Sequence, residues 1–229
     1  MPQTYNRSVE TRLRQVAGSI GLRTASAKCD PNLVVIVAGR SGAFIEQLRK
    51  ERPDIFEGVD YAQVAAALRT KEPVRTWQSI EPRGADGRPL ERVSSIEFGD
   101  GPKPVSNAYI LRGTTALSSR LVSAVRQDLV RSFVVLDVDA IDGLTLTQIA
   151  DYAAMRLLAR TKAPPHPSAS TILGLFSDPA VPSGVAHLTR WDFAYLWSLY
   201  NTDGSAPAGA QKCSIAGAIR EDARQRSER

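Results

Sequence analysis

A chain of 229 residues with 43% hydrophobic content has the composition of a folded globular protein, which excludes a disordered or fibrous one. Its 29 Lys and Arg against 24 Asp and Glu leave a net charge of +5, and no apolar run approaches the roughly 18 residues of a spanning helix. With only Cys29 and Cys213, zinc knuckles and CxxC redox motifs are excluded as well.

The first predicted element is a helix, since Val9, Leu13, Val16 and Ile20 share one face. Its other face is charged, and residues 1–28 as a whole hold Arg7, Arg12, Arg14, Arg23 and Lys28 against Glu10 alone, a basic front that could attract phosphates. Aromatic residues interleaved for base stacking are missing there, so nucleic acid is not an expected partner. After the Cys29-Asp30-Pro31-Asn32 turn, Leu33 to Ala38 is a short β-branched run that reads as a buried strand. Gly39-Arg40-Ser41-Gly42 breaks it, with the glycines expected to supply unusual φ values. A helix from about Ala43 to Arg52 stops before Pro53, and Asp60 can cap a short helix carrying Val64 and Leu68.

From Pro73 to about Arg112 short apolar stretches separated by Gly, Pro and Asp predict strands, with a hairpin loop over residues 83–88. Leu117, Leu121, Ala124 and Val125 mark a helix, and Phe133 to Val138 is the second strongly apolar strand. Thr145 with Gln148, and Thr189 with Asp192, form capping boxes ahead of two amphipathic helices, and Leu188 with Phe193 is placed as a hydrophobic staple. A last helix begins after Ser214, and residues 220–229 read as a frayed, charged end. The element order predicts one α+β domain over residues 1–229, a mixed β-sheet covered by amphipathic helices.

Three constellations could carry chemistry. Ser41 sits in a small-x-Ser-x-small turn between an apolar strand and a helix, as a nucleophile does, and Asp137 or Asp139 with His166 or His187 would complete a Ser, Asp, His order. Residue 43 is Ala where that motif has Gly, so a tight structural turn is the leading explanation. Asp137-Val138-Asp139 resembles the nucleophile motif of haloacid-dehalogenase-type phosphatases, but too little chain follows to supply their later motifs. Asp137, Asp139, Asp142 and Gly143 echo a calcium loop with the wrong spacing and Gln148 where a bidentate Glu belongs. No HExxH, GxxxxGK or GxGxxG exists, so no metal or other cofactor is expected. Trp77, Trp191 and Trp197 read as core residues.

Several phrases resemble a family of exported alphaproteobacterial proteins with no assigned activity: Ala27 to Asn32, Arg52 to Gly58, Glu72 to Trp77, Ile149 to Met155, Thr171 to Phe176 and Leu188 to Leu196. The C-terminal half also looks like a degenerate zincin-type, metalloprotease-like domain, whose active-site helix would lie at residues 146–159. That helix offers Gln148, Asp151 and Tyr152 in place of a zinc-binding His pair and a Glu base. The resemblance implies a periplasmic or otherwise extracytoplasmic protein whose true start lies upstream, since the first residues contain no signal peptide. It favours a Cys29–Cys213 disulfide, or at least an oxidising compartment, where the two cysteines by themselves leave a bridge and two buried free thiols equally open. The expected function is non-catalytic binding of an unknown protein or small molecule by a pseudoenzyme, with the Ser41 hydrolase as the alternative.

Overall fold

The computed structural model describes residues 3–26, 29–98, 101–110, 125–166, 168–178, 184–204, 206 and 208–227. The expected α+β class is observed: helices pack on both faces of a mixed sheet. That sheet has three strands in the order β1 (Leu33–Ala38), β5 (Val125–Asp137), β2 (Val74–Gly84). Strand β1 runs parallel to β5, from Leu33 opposite Ser132 to Ala38 opposite Asp137, while β2 runs antiparallel to β5. The hairpin β3 (Glu91–Phe98) and β4 (Gly101–Ile110) forms a separate two-stranded sheet. The helix expected over Leu117, Leu121 and Ala124 lies outside the described residues, and Val125, assigned to it, begins β5.

Packing on both faces explains why β1 and β5 read as continuous apolar runs, but only β5 is central, and β1, expected to be a buried strand, is the half-buried edge of the sheet. On one face, helices α1 (Gln3–Ser19), α4 (Leu146–Leu158) and α5 (Arg190–Asn201) cover Val134 and Leu136 of β5 and Val74 of β2. On the other, α2 (Ser41–Glu51) and α3 (Tyr61–Arg69) cover Phe133 and Val135. There the fully buried Trp77 is stacked between Phe56 and Phe133, with centroids 5.0 and 4.9 Å away. Strand β2 alternates between these cores as its period of two requires: Thr76 and Gln78 bond residues of α4 and its end, Arg75 and Ser79 bond groups beside α3.

Helix α4 is the centre of the larger core, since every residue from Ile149 to Leu158 is buried. Both of its ends therefore need partners for unpaired backbone groups. The N-terminus has the predicted capping box, with Thr145 and Gln148 each accepting the other's backbone N–H, and Gln148 Nε2 also donates to the Val185 carbonyl at 2.8 Å. The C-terminus is capped from far away, by Gln78 of β2, whose side-chain amide donates to the carbonyls of Arg156, Leu157 and Ala159. The Tyr200 hydroxyl of α5 takes the Leu158 carbonyl at 2.7 Å.

Two expectations about the chain's end are corrected. Helix α6 spans Ala208–Ser227, starting before Ser214 and continuing as regular helix through most of the segment expected to fray. It packs on α5, which supplies the tertiary support that helix propensity alone does not.

Burial pushes the Tyr200 phenol up to about 12, with nearby Tyr195 adding to the effect. A phenol that stays protonated in the folded chain while the unfolded one ionises near its ordinary 10 stabilises fully below pH 10. That contribution is lost as pH rises from 10 towards 12. Tyr200→Phe should therefore flatten part of the fall in stability over this range, read by urea denaturation at a series of pH values.

Candidate functional site

A cleft of about 610 Å³ opens where β1 and β5 end, lined by Gly39 to Ala43, Pro73, Arg75, Asp137, Asp139 and Ala140. Its place follows from topology, because the carboxyl ends of parallel strands are where α/β sheets leave a crevice. Strand β1 delivers the turn into α2, and β5 delivers Asp137 beside it. The helix cap, Arg40, makes no side-chain capping bond. Asp137 fills that role from the neighbouring strand, its Oδ1 accepting the Ser41 N–H at 2.7 Å. Satisfying this N–H explains why α2 begins at Ser41, ahead of the Ala43 expected from the apolar pattern.

Ser41 itself is 1% exposed. Its hydroxyl oxygen accepts a hydrogen bond from Arg75 Nε at 2.6 Å, and Arg75 Nη1 donates to the carbonyls of Ala67 and Thr70 at the end of α3. A Cβ added at Gly42 would lie 3.2 Å from Arg75 Nη2, so glycine there gives the guanidinium room. Neither Gly39 nor Gly42 has positive φ, which corrects the reading of this turn as one built on unusual backbone angles. One arginine thus ties β2, α2 and α3 together under the cleft floor.

The structure brings Ser41, Asp137 and Asp139 to this one cleft. It leaves His166 and His187 out of the lining, and both are exposed. The His187 Nδ1 lies 2.9 Å from the Leu188 carbonyl, its own chain neighbour. The group that holds the Ser41 hydroxyl is therefore a guanidinium, a permanent donor that takes up no proton from a serine. Sequence reasoning missed Arg75. Its only local signal is a cation between Val74 and Trp77 in a strand whose neighbours face two cores, and its partners lie 5, 8 and 34 residues away.

The residues carried by the zincin-type resemblance are engaged elsewhere. Asp151 is fully buried and accepts Arg12 Nε at 2.7 Å, Arg12 Nη2 at 2.9 Å and the Leu188 N–H at 2.7 Å, so both carboxylate oxygens are occupied. Chiefly through the hydrogen bond, Asp151 raises the Arg12 guanidinium above its ordinary range. Tyr152 is 1% exposed, edge-on to Phe176, and burial pushes its phenol up. Gln148 belongs to the capping box. This donor set does not fit a metal, and among the described residues no three His, Cys, Asp or Glu are grouped to hold one.

The other expectations divide. Cys29 and Cys213 are both free and both exposed, so neither the disulfide nor a pair of buried thiols is found. The Cys29 thiol donates locally to the Ser26 carbonyl at 3.2 Å. Trp77 is core, but Trp191 and Trp197 are 55% and 46% exposed. The basic face of α1 is partly neutralised, with Arg12 on Asp151 and Arg14 on Glu10. Among the described residues no helix is long and apolar enough to cross a membrane. No protein-family model, curated protein or solved structure matches the chain.

Removing Arg12 would strand a buried carboxylate, at a cost of about 3 to 5 kcal/mol. Arg12→Met should lower the urea midpoint accordingly. Adding Asp151→Asn to it should recover part of the loss, because the charge left unpaired is then gone.

Proposed function

We propose that this protein is a non-catalytic binding protein, working outside the cytoplasm, whose ligand site is the cleft between β1, β5 and α2. The observation that carries this reading is the bonding of Ser41. Its hydroxyl is held by Arg75 and its N–H by Asp137, so the two residues best suited to nucleophilic chemistry brace a strand-to-helix turn. Around that braced floor the cleft presents exposed Arg40 and Asp139, side chains able to select a polar ligand without reacting with it. The first turn of α2 adds its partial positive charge at the same place.

A zincin-like scaffold turned to structural use is part of the same proposal. The scaffold reading rests on the resemblance of the C-terminal half, and the engagement of Asp151, Tyr152 and Gln148 in ion pairing, core packing and capping is what gives these positions a structural use. The extracytoplasmic setting rests only on the resemblance of those phrases to exported proteins, and the free cysteines add nothing to it.

Two measurements test the reading. A fluorophosphonate probe should leave Ser41 unlabelled, and zinc titrated into the purified full chain should show no stoichiometric binding by calorimetry. Labelling that disappears in Ser41→Ala would establish a hydrolase instead, and one bound zinc per chain would restore a metal-dependent activity.

A further inference from the structure

Strand β1 is the edge of the three-stranded sheet, and it carries none of the features that usually guard an edge. Its sequence, Leu-Val-Val-Ile-Val-Ala, has no charge and no proline, and it pairs with β5 without a bulge. All six of its residues are half-buried, whereas Phe133 to Leu136 of the adjacent β5 are buried. The hydrogen-bond direction is settled by Ser132, whose N–H donates to the Asn32 carbonyl. Since alternate residues of a strand face opposite neighbours, Val34, Ile36 and Ala38 also bond β5, and Leu33, Val35 and Val37 point their N–H and C=O groups outward. Among the described residues nothing bonds these outward groups.

We infer that this edge pairs with β1 of a second copy of the chain, antiparallel about a two-fold axis. A strand added here has to carry apolar side chains on both faces, because Leu33, Val35 and Val37 join the core under α4 while Val34, Ile36 and Ala38 join the core under α2. Strand β1 is itself such a strand. The outward groups require odd residues to face odd residues, and of the registers this allows, the one with Val35 opposite Val35 on the axis and Leu33 opposite Val37 pairs all three.

That register extends sensibly beyond the strand. Pro31, which has no N–H to donate, falls opposite Gly39 and ends the ladder where pairing is no longer needed. Asp30 falls opposite Arg40 of the second copy, twice by symmetry. Both are exposed, and neither has an ion-pair partner among the described residues of its own chain. Opposite charges at both ends favour the antiparallel arrangement, since a parallel one would bring the two Asp30 ends together and the two Arg40 ends together. The result is one continuous sheet through both subunits, with no open β1 edge and with Asp30 of each copy at the rim of the other's cleft, beside Arg40.

The full chain should sediment at twice its 24.8 kDa mass, with Leu33→Pro shifting it to monomer. Proline is accepted at the first residue of an edge strand, and here it removes an outward N–H. Because Leu33→Pro could disturb the core, the deciding variants are at exposed positions. Asp30→Arg and Arg40→Asp should each weaken the dimer about tenfold or more at low salt, and combining them should restore wild-type affinity. A 24.8 kDa species at every concentration would overturn the inference, and so would a dimer that the combined charge swap fails to restore.

Discussion

A single carboxylate sealed from water, Asp151, constrains more of this structure than any other group. A buried ion costs several kcal/mol unless its lone pairs are met, and the three donors that meet Asp151 come from α1 and from the segment entering α5. Its helix cannot take its place in the core without drawing both segments onto it. Asp192 acts in the same way in α5, closing its capping box while also accepting the Ile172 N–H and the Thr171 hydroxyl. The two carboxylates together place α1, α4, α5 and the short 3-10 helix Ile172–Phe176 around one core.

Polar groups thus organise the inside of this protein as much as apolar ones do. Helix α4 is buried on every side, which leaves its polar termini and side chains dependent on other elements. Gln78 answers at the C-terminus, and buried Arg156 reaches the Thr76 hydroxyl on the same strand. On the opposite face Arg75 plays the corresponding part for α2 and α3, and the cleft lies directly above its guanidinium. The cleft floor is therefore rigid for the same reason that its serine is restrained, since both rest on that guanidinium.

How far the sequence could be read depended on the range of the interaction concerned. Both capping boxes, the Asp60 cap and the turn at Gly87, with φ of 82°, involve partners within four residues, and all were legible. The helix start at Ser41 was not, because the group that fixes it, Asp137, lies 96 residues away. The basic front of α1 looked uniform in one dimension, yet Arg12 has a buried partner 139 residues distant. The cysteines carried no geometric information at all, and a pairing inferred for them had nothing to rest on once their positions were known.

By itself the sequence determined the class of the fold, the apolar strands β1 and β5 and the capped starts of α3, α4 and α5, since these follow from periodicity and short-range capping that the unfolded chain already contains. Tertiary structure alone decided what the chemically suggestive residues do. Ser41 and Asp137 could have formed a reacting pair and Asp151 a metal ligand or base, and nothing in their local sequence forbids it. Their roles were settled by Arg75 and Arg12, because a long-range charged hydrogen bond exists only after the fold has closed the distance.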